Sequence, residues 1–451
     1  MDFSGIERRL DTYVNYEAIP GFGFADAGYS LDHVHELLRR LGDPHLGPRT
    51  VHVAGSKGKG SISALIANAL SACDLRTGLY TSPHLVHLGE RIQVDGQCIA
   101  PAALSEILDL ALPHLEAMQS EGKWRRFTYF EVVTALAFLY FRARGVEAQV
   151  IEVGLGGRLD ATNVVRPDVC VIAPISLEHT AVLGDTIEEI AHEKAGIIKP
   201  GTVVVSAPQK PGALRVIQDA CCRSGANLVQ VGTAVTYEVR ESSLDGQLVS
   251  IRTPGGRWDY QLSMGGTFQA ENTAAAVAAV EALEAGGVHL DRECVARGFA
   301  ATRWPGRFHV LARHPLLVLD GAHNPASMRR LSESLARLGA ANDIVFVMGF
   351  SEDKDVRGAI REMLGLGGRM VLTRSSQSRA LGPAEIAKRV NDLGVSLWCE
   401  EDPLEALWRA RRMVRDEGTV CAGGSLYLVA EILRWWQGDP AAESAWSVKR
   451  T

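Results

Sequence analysis

The sequence predicts an α/β fold made mainly of parallel sheets, with a small antiparallel appendage. Apolar, strand-like segments alternate with segments of helical periodicity along most of the chain. The strand-like segments are apolar throughout, which is typical of parallel strands that helices cover on both faces. One segment, residues 249–262, breaks this rhythm and has the pattern of a β-hairpin that turns at Pro254-Gly255-Gly256.

The N-terminal series begins with a strand at residues 50–54, a glycine loop, and a segment whose apolar residues recur at helical spacing. Three further strands are predicted, each followed by a loop and a helix: residues 148–154, 168–176 and 201–207. This arrangement predicts an N-terminal domain with a mainly parallel, doubly wound sheet and a P-loop-type phosphate loop.

A second alternating series follows the punctuation of Pro305-Gly306. We therefore predict two domains, residues 1–301 and residues 302–451, the second a Rossmann-like α/β domain. The tail after Gly438 is expected to be loose.

Composition excludes several classes of function. The 451 residues include 47 Lys and Arg against 53 Asp and Glu, a net charge of −6, so no basic excess attracts nucleic acid or an anionic membrane. The N-terminus has no apolar signal region, and the longest apolar run, residues 132–141, is shorter than the ~20 residues of a membrane span. The eight cysteines form no C-x-x-C pair, and several suit small reduced core residues. We expect a cytoplasmic enzyme.

The glycine loop, HVAGSKGKGS at residues 52–61, resembles a phosphate-binding loop with altered spacing. Glycines at this point let backbone N–H groups close around an anion at a helix N-terminus, where Lys59 reaches terminal phosphates and Ser61 binds Mg²⁺ or a phosphate oxygen. The alternative is a glycine-rich turn with two solvated lysines. The preceding strand and following helix favour the phosphate loop, while the spacing argues against a standard GTPase or kinase.

Lys194 lies at the centre of an apolar helical stripe. Thr186 and Glu189 form a capping-box pattern, and the stripe of the helix that follows includes Ile190 and Lys194. A buried ammonium must pair or lose its proton. The commoner outcome is a salt bridge, but a neutral buried amine can also react with CO₂ to give a carbamate, and the residues alone leave both possibilities open.

Three polar side chains follow predicted strands. Glu152 interrupts an apolar strand at its end, while Ser82 and His179 follow two others. Ligands bind at the carboxyl ends of parallel strands, and a carboxylate, an imidazole and a hydroxyl suit a Mg²⁺ shell. Taken separately, Ser82 is better explained as a turn former and His179 as a structural loop residue, whereas Glu152 is the hardest to explain structurally, because an unpaired carboxylate in a core strand is costly.

Eight stretches together resemble the folylpolyglutamate synthase and dihydrofolate synthase family of the Mur ligases. They cover nearly the whole chain in the family's order: AGSKGKGS, TSPHL, YFEVVTA, EVGLGGRLDATN, HTAVLGDTIEEIAHEKAGIIKPG, GTFQAENTAAA, WPGR and DGAHNP. The fifth is long and very specific. The resemblance implies a monomeric ligase that uses ATP and Mg²⁺ to join L-glutamate to dihydropteroate and to folates through an acyl phosphate.

The resemblance also implies roles for individual residues. Lys59, Lys194 and His179 would be catalytic, with Lys194 the family's carbamylated lysine. Mg²⁺ would be bound by Ser82, Glu152 and His179. The nucleotide would be bound by Gly55, Gly58, Lys59, Gly60, Ser61, Asn272 (adenine), Arg307 (phosphate), Asp320 (ribose) and the neighbouring His323. Phe130, Asp160 and Ala161 resemble the substrate residues of forms that accept dihydropteroate as well as folates.

The chain departs from the family at Ser56-Lys57, which stands where the loop G-T-N-G-K-G-S has Thr-Asn. We expect altered loop contacts with ATP binding retained. Four alternatives stay open: an enzyme that performs only one of the two glutamate additions, a Mur-type ligase with a cell-wall substrate, a nucleotide-dependent switch without ligase chemistry, and a non-catalytic descendant.

Overall fold

The computed structural model describes residues 2–15, 30–339 and 343–447. Within these residues the chain forms two compact units. Counting described residues only, the first comprises residues 2–15, 30–238, 249–261 and 270–302, and the second comprises residues 239–248, 262–269, 303–339 and 343–447.

The helices and strands alternate along most of the chain and are numbered in chain order. Up to residue 230 they are α1 (Phe3–Leu10), α2 (Asp32–Arg40), β1 (Arg49–Ala54), α3 (Lys59–Ala72), β2 (Thr77–Tyr80), β3 (Ile92–Val94), β4 (Gln97–Cys98), α4 (Pro101–Ser120), α5 (Tyr129–Ala143), β5 (Ala148–Glu152), β6 (Val169–Ile172), α6 (Thr180–Leu183), α7 (Ile187–Ala195), β7 (Val203–Ser206), α8 (Pro211–Ser224) and β8 (Asn227–Gln230). The later elements are β9 (Thr236–Ser243), β10 (Gly246–Thr253), β11 (Gly256–Leu262), α9 (Phe268–Ala285), α10 (Arg292–Ala301), β12 (His309–Arg313), β13 (Leu316–Asp320), α11 (Pro325–Arg337), β14 (Ile344–Met348), α12 (Val356–Arg361), β15 (Arg369–Leu372), α13 (Pro383–Val390), β16 (Ser396–Cys399), α14 (Pro403–Met413), β17 (Thr419–Gly423), α15 (Leu426–Gly438) and α16 (Ala442–Ser447).

The first unit is built on an eight-stranded sheet of order β4-β3-β2-β5-β1-β6-β7-β8. Strands β2, β5, β1, β6, β7 and β8 run parallel, whereas β3 and β4 are antiparallel at one edge. The register pairs Val53 with Glu152 and Ala54 with Ile172. The carboxyl ends of neighbouring strands therefore meet at one edge, as the mainly parallel prediction requires.

Helix α5 contains the longest apolar run, residues 132–141, and buries all of it in the core. The helix begins with a capping box, because the Thr128 hydroxyl accepts from the Glu131 N–H at 3.2 Å and Glu131 Oε2 accepts from the Thr128 N–H at 2.8 Å. Among the residues the structure describes, no helix is long and apolar enough to cross a membrane.

The predicted hairpin is formed by β10 and β11, which are hydrogen-bonded neighbours separated by Pro254-Gly255. A two-residue connection joins only antiparallel strands. A third strand, β9, extends the hairpin to a sheet of order β11-β10-β9. The antiparallel appendage is confirmed and is one strand wider than predicted.

The second unit contains a six-stranded sheet of order β12-β13-β17-β14-β15-β16. Strands β13, β17, β14, β15 and β16 are parallel, and β12 pairs antiparallel with β13. Its central strands are fully buried, which explains their continuous apolar sequences. This α/β architecture agrees with the fold class predicted for the second half of the chain.

The prediction of a loose tail after Gly438 is wrong for residues 439–447. Helix α16 lies there, and its Trp446 is fully buried. The Trp446 indole N–H donates to the Pro315 carbonyl at 2.9 Å, and its ring lies 5.8 Å from that of Trp408. Burial of this large side chain holds the segment to the sheet. Residues 448–451 lie outside the described part of the chain.

The expectation that several cysteines are reduced core residues is confirmed, and another pair forms a disulfide. Cys170, Cys221 and Cys421 are buried free thiols. Cys73, at the end of α3, and Cys294, in α10, instead form a disulfide with a Cα–Cα distance of 5.2 Å. The pairing was not predictable from spacing, because 221 residues separate the two cysteines.

Candidate functional site

The glycine loop between β1 and α3 is fastened to the segment that follows β6. The backbone N–H groups of Ser56 and Lys57 donate to the Pro174 carbonyl at 3.0 and 3.2 Å. The Ser56 hydroxyl donates to the Ser176 carbonyl at 3.1 Å and accepts from the Ser176 N–H at 3.0 Å. These bonds fix the loop at the carboxyl edge of the sheet, where ligands bind in parallel α/β folds.

Two of the loop glycines are required by their surroundings. Gly58 has a φ of +88°, and a Cβ there would lie 2.4 Å from Asn272 Oδ1. Gly55 has a φ of +144°, and a Cβ there would lie 2.6 Å from the Ala173 Cβ. The buried Asn272 side chain therefore lies directly against the loop, and its assignment to adenine stays a prediction.

Helix α3 begins at Lys59, immediately after Gly58. Gly60 and the buried Ser61 lie in its first turn, whose backbone N–H groups have no acceptor within the helix. A helix N-terminus that follows a glycine loop in this way suits phosphate. The strand–loop–helix context predicted for the phosphate loop is present.

Three lysines and one glutamate meet at this loop, and we call Lys57, Lys59, Lys194 and Glu178 the lysine cluster. The Gly55 carbonyl accepts from Lys59 Nζ at 3.1 Å and from Lys194 Nζ at 3.0 Å. Glu178 Oε2 lies 3.2 Å from Lys57 Nζ, and Glu178 Oε1 lies 3.4 Å from Lys194 Nζ. A single carboxylate thus faces three cationic side chains.

The electrostatics of the lysine cluster follow from burial and from this imbalance. Lys194 is 2% exposed, and burial lowers its pKa to about 8, although Glu178 opposes the shift. Burial alone would raise the pKa of Glu178, but Lys57 and Lys194 outweigh it and hold that pKa well below the usual range. The predicted burial of Lys194 is confirmed. Its ion-pair partner, Glu178, also pairs with a second lysine, Lys57.

Helix α7 positions Lys194 through local sequence and packing. The Thr186 hydroxyl accepts from the Glu189 N–H at 3.2 Å, and Glu189 Oε2 accepts from the Thr186 N–H at 3.0 Å, which confirms the predicted capping box. At the other end of the helix, the Arg158 N–H donates to the Glu193 carbonyl at 2.8 Å. A Cβ at Gly157 would lie 2.7 Å from that same carbonyl, so the GLGGR loop packs directly on the last turn.

Glu152 and Ser82 lie together at the edge of the sheet, beside the phosphate loop. Glu152 is 5% exposed at the end of β5, next to β1, and its Oε2 accepts from the Ser82 N–H at 3.2 Å. His179 is exposed, follows Glu178 and adopts a left-handed conformation with a φ of +49°. Of the three predicted metal ligands, Glu152 therefore ends β5, and Ser82 and His179 come after β2 and β6 of the same sheet.

The three predicted ligands are donors of the kinds that can bind Mg²⁺. In the described ranges, no group of three or more His, Cys, Asp or Glu side chains is arranged to hold a metal. The predicted set has one buried carboxylate, one imidazole and one hydroxyl. Mg²⁺ binds through one or two carboxylates and completes its shell with phosphates and water, so this donor set suits it.

Asp160, one of the predicted substrate residues, accepts hydrogen bonds from the backbone of the loop after β5. Its Oδ1 accepts from the Thr162 N–H at 3.0 Å and its Oδ2 from the Leu155 N–H at 2.9 Å. Burial raises the pKa of Asp160, opposed by these hydrogen bonds. The carboxylate thus fixes the loop after β5, and Ala161 begins the short 3₁₀ helix that it caps.

Phe130 lies in the first turn of α5 and is partly buried against the core. A Cβ at Gly154 would lie 2.5 Å from its ring. Phe130 and the loop after β5 are therefore in contact, and the glycine permits the approach. Contact of Phe130, Asp160 or Ala161 with a substrate stays a prediction.

Three predicted nucleotide residues of the second unit meet around Gly321. Asp320 is buried and accepts from the N–H groups of Phe308 and Ala322, both at 2.7 Å. A Cβ at Gly321 would lie 2.3 Å from Arg307 Nη1, and His323 Nδ1 lies 2.8 Å from the Gly321 carbonyl. Burial raises the pKa of Asp320, opposed by the charge of Arg307. The WPGR and DGAHNP stretches thus form one local structure.

Comparison with known proteins decides the family. Residues 53–280 match the Mur ligase middle domain, and residues 306–426 match the Mur ligase glutamate ligase domain. A dihydrofolate synthase/folylpolyglutamate synthase from Bacillus subtilis is 34% identical over 408 residues, which are 89% of this chain and 94% of that protein. The chain belongs to the dihydrofolate synthase/folylpolyglutamate synthase family of Mur ligases.

Three further relatives describe the likeness. The Mycobacterium tuberculosis folylpolyglutamate synthase complexed with ADP superposes with a TM-score of 0.88 at 31% identity, covering 97% of this chain and 99% of that one. A probable bifunctional folylpolyglutamate synthase/dihydropteroate synthase from Haloferax volcanii is 35% identical over 418 residues, 89% of this chain. The chain spans about half the length of that protein and of a similar one from Halobacterium salinarum, 48% and 49% respectively.

Within this site, sequence reasoning missed Glu178 and the role of Lys57. Glu178 stands directly before His179 in SLEHT, so an acidic residue at a strand end was the available signal. Lys57 was noted only as a departure from the family's loop. Its ion pair with Glu178 depends on the approach of two loops 121 residues apart, which no local pattern encodes.

The role of the buried His52 in β1 was also missed. His52 Nε2 lies 2.9 Å from Thr162 Oγ1, and that hydroxyl contacts Asp160 Oδ1 at 2.5 Å. Burial lowers the pKa of His52 to about 3, so the ring is neutral in this network. The chain His52–Thr162–Asp160 ties β1 to the LDATN loop and accounts for two of the polar residues of that stretch, Asp160 and Thr162.

Proposed function

We propose that this protein is an ATP-dependent ligase that adds L-glutamate to dihydropteroate and further L-glutamate to reduced folates. The products are the amide, ADP and phosphate. The name of the Bacillus subtilis relative, dihydrofolate synthase/folylpolyglutamate synthase, supports both glutamate additions, and that of the Haloferax volcanii relative supports the folylpolyglutamate step. The observation that carries the proposal is the lysine cluster, which concentrates positive charge at a phosphate loop beside a buried carboxylate, Glu152.

The proposed reaction has two displacements. A carboxylate oxygen of the acceptor attacks the γ-phosphorus of ATP, and ADP leaves. The glutamate amine then attacks the acyl carbon, phosphate leaves, and the amine proton passes to solvent. Neither step requires a covalent enzyme nucleophile, so charge neutralisation and positioning must supply the catalysis.

In this scheme Lys59 and the N–H groups of Gly58, Gly60 and Ser61 bind the phosphates. Lys194 brings a further charged group close to the loop, because its Nζ and that of Lys59 each donate a hydrogen bond to the Gly55 carbonyl. Mg²⁺ would be held by Ser82, Glu152 and His179 and would neutralise phosphate oxygens.

The remaining assignments rest on the resemblance. Asn272 is assigned to adenine, Arg307 to phosphate, Asp320 to ribose, and His323 to the same neighbourhood. Asp320 has the least remaining hydrogen-bonding capacity for a ribose, because both of its oxygens already accept backbone hydrogen bonds. Phe130, Asp160 and Ala161 are assigned to the substrate pocket.

The proposal also covers organisation and location. We assign ATP binding to residues 1–301 and the glutamate-ligase part to residues 302–451, and the two family matches fall on either side of that boundary. We further propose a monomer in the cytoplasm, on the resemblance and on the need for ATP. Size-exclusion chromatography with light scattering tests the oligomeric state.

Within the same class, the alternative is an enzyme that performs only one of the two additions. The deciding experiment measures ADP release with MgATP and L-glutamate in the presence of dihydropteroate, tetrahydrofolate or no acceptor. Release with both acceptors supports the bifunctional ligase, and release with one alone identifies the single step. Release that neither acceptor stimulates would reject the folate assignment and leave a nucleotide-binding protein of another function.

A further inference from the structure

One carboxylate in the lysine cluster serves two lysines from different parts of the first unit. Glu178 Oε2 contacts Lys57 of the phosphate loop at 3.2 Å, and Glu178 Oε1 contacts Lys194 of α7 at 3.4 Å. The Glu178 side chain is 11% exposed and that of Lys57 19% exposed, so solvent screens both only partly. A change in the ion pair between one of these lysines and Glu178 must therefore alter the ion pair of the other lysine.

The charged groups that act on the Lys194 amine are Glu178, in the segment after β6, Lys57 of the phosphate loop and Lys59 at the start of α3. Glu178 stabilises its ammonium form, whereas Lys57 and Lys59 disfavour that form through like charge. The three lysines and Glu178 carry +3 − 1 = +2 in their fully ionised state. If the Lys194 amine became a carbamate, the balance would be +2 − 2 = 0, but the new negative charge would lie beside Glu178.

We propose that Lys57 is a positioning residue that holds Glu178 and thereby sets the reactivity of the Lys194 amine towards CO₂. Lys57 draws the carboxylate towards the phosphate loop and weakens its support of the Lys194 ammonium. Lys57 also supplies the positive charge that permits a carbamate and Glu178 to occupy one site. The inference rests on the proposed function for its biological meaning, but its chemistry is testable without ATP or folate.

Carbamate formation at Lys194 requires only the free amine and CO₂. The deprotonated Lys194 Nζ forms a bond to the carbon of CO₂, one C–O π pair moves to oxygen, and one proton passes from Nζ to solvent. Below the pKa of Lys194, a shift of one unit changes the fraction of free amine about tenfold. Changes at Lys57 and Glu178 should therefore be visible in carbamate occupancy.

The proposal predicts opposite effects for two neighbouring variants. Lys57→Asn introduces the family's residue. Without the Lys57 ion pair, Glu178 stabilises the Lys194 ammonium more strongly, and one positive charge that would offset the carbamate is lost, so carbamate occupancy falls several-fold. Glu178→Gln removes the support of the ammonium and the repulsion of the carbamate, so carbamate rises. The double variant returns towards the parent protein, and Lys57→Arg, which keeps the charge, retains the signal.

The test is ¹³C NMR of the full chain in ¹³C-labelled bicarbonate, with the carbamate resonance assigned by its loss in Lys194→Met. Lys123→Asn is the matched control, because Lys123 is an exposed lysine that also pairs with a glutamate, at 3.1 Å from Glu121. The control should leave the resonance unchanged. Circular dichroism and thermal melting of each variant confirm that the protein is folded.

A purely structural role for the pair would make both single variants lose the resonance together, and that result would overturn the proposal. An unchanged resonance in Lys57→Asn would overturn it equally. Failure of the proposed function is distinguishable, because it would appear as a lack of acceptor-dependent ADP release while the NMR pattern of the variants was preserved.

Discussion

Lys194 and Gly55 lie 139 residues apart in the sequence, yet Lys194 Nζ donates a 3.0 Å hydrogen bond to the Gly55 carbonyl. The bond joins helix α7 to the loop that precedes helix α3. Since the same carbonyl also accepts from Lys59, the two lysines are held within reach of a single anion.

Lys194→Ala should lower the ligase rate by about 10²-fold or more, the loss typical when one preorganised charged or hydrogen-bonding group is removed from a reaction centre. The reason is that its amine lies at the phosphate loop and is held there by Gly55 and Glu178. The measurement is acceptor-dependent ADP release at saturating substrates. Lys199→Ala, five residues later and outside the lysine cluster, is the control. Near-normal turnover of Lys194→Ala would remove Lys194 from the mechanism.

Lys59→Ala should weaken the use of ATP. Lys59 is the first residue of α3, and its ammonium group lies beside the loop where phosphates are expected to bind. We expect a higher KM for MgATP and weaker binding of ADP by calorimetry. Lys123→Ala is the control, since that lysine pairs with Glu121 on an exposed part of the surface. Unchanged kinetics for MgATP would show that HVAGSKGKGS is not the phosphate loop.

Gly58→Ala should weaken nucleotide binding without unfolding the protein. The φ of +88° costs a residue with a side chain about 1 kcal/mol or more, and the new Cβ would lie 2.4 Å from Asn272 Oδ1. The measurement is the Kd for ADP. Gly382→Ala is the control, because Gly382 has a φ of −65° and no atom within 4 Å of an added Cβ. Equal affinities in the two variants would contradict the requirement for glycine at residue 58.

His52 should make the protein sensitive to acid. Its folded pKa is about 3 because the ring is fully buried, whereas the unfolded chain binds this proton near pH 6.5. Between these values the unfolded state binds more protons, so stability falls as the pH falls from 6.5 towards 3. At pH 5 the loss is about 2 kcal/mol. Thermal melting at pH 7.5 and pH 5 measures it.

The matched variants for this prediction are His52→Gln and His35→Gln. His52→Gln removes the titrating group and should lose less of its Tm on acidification than the parent protein loses. His35→Gln changes an exposed histidine of α2 and should follow the parent. If His52→Gln keeps the full pH dependence, the acid sensitivity has another source.

Cys73→Ser should lower the thermal stability of the oxidised protein by removing the disulfide between α3 and α10. Natural disulfides contribute about 2–4 kcal/mol. The two helices also approach closely at Gly298, where a Cβ would lie 2.5 Å from the Asn68 carbonyl, so helix packing should persist in the variant. The measurement is the Tm with and without a reductant. Cys222→Ser, at an exposed free cysteine, should leave the Tm unchanged; a parent protein insensitive to the reductant would contradict the prediction.

Much of the fold was determined by the sequence itself. The alternation of apolar strands and periodic helices fixed the parallel sheets, and the Pro254-Gly255-Gly256 turn fixed the hairpin. The Thr186 cap and the apolar stripe placed Lys194 on a buried helix face. These features depend on residues that are close neighbours in the chain, so local periodicity and capping reveal them.

Only the tertiary structure decided how the site is assembled. The sharing of Glu178 by Lys57 and Lys194, the disulfide of Cys73 and Cys294, and the burial of Trp446 all join segments far apart in sequence. Such contacts arise from the order and crossing of strands in the sheets, and no local pattern records which loops will meet. The sequence therefore determined the elements and several of the chemical groups, and the packing decided which of those groups face one another.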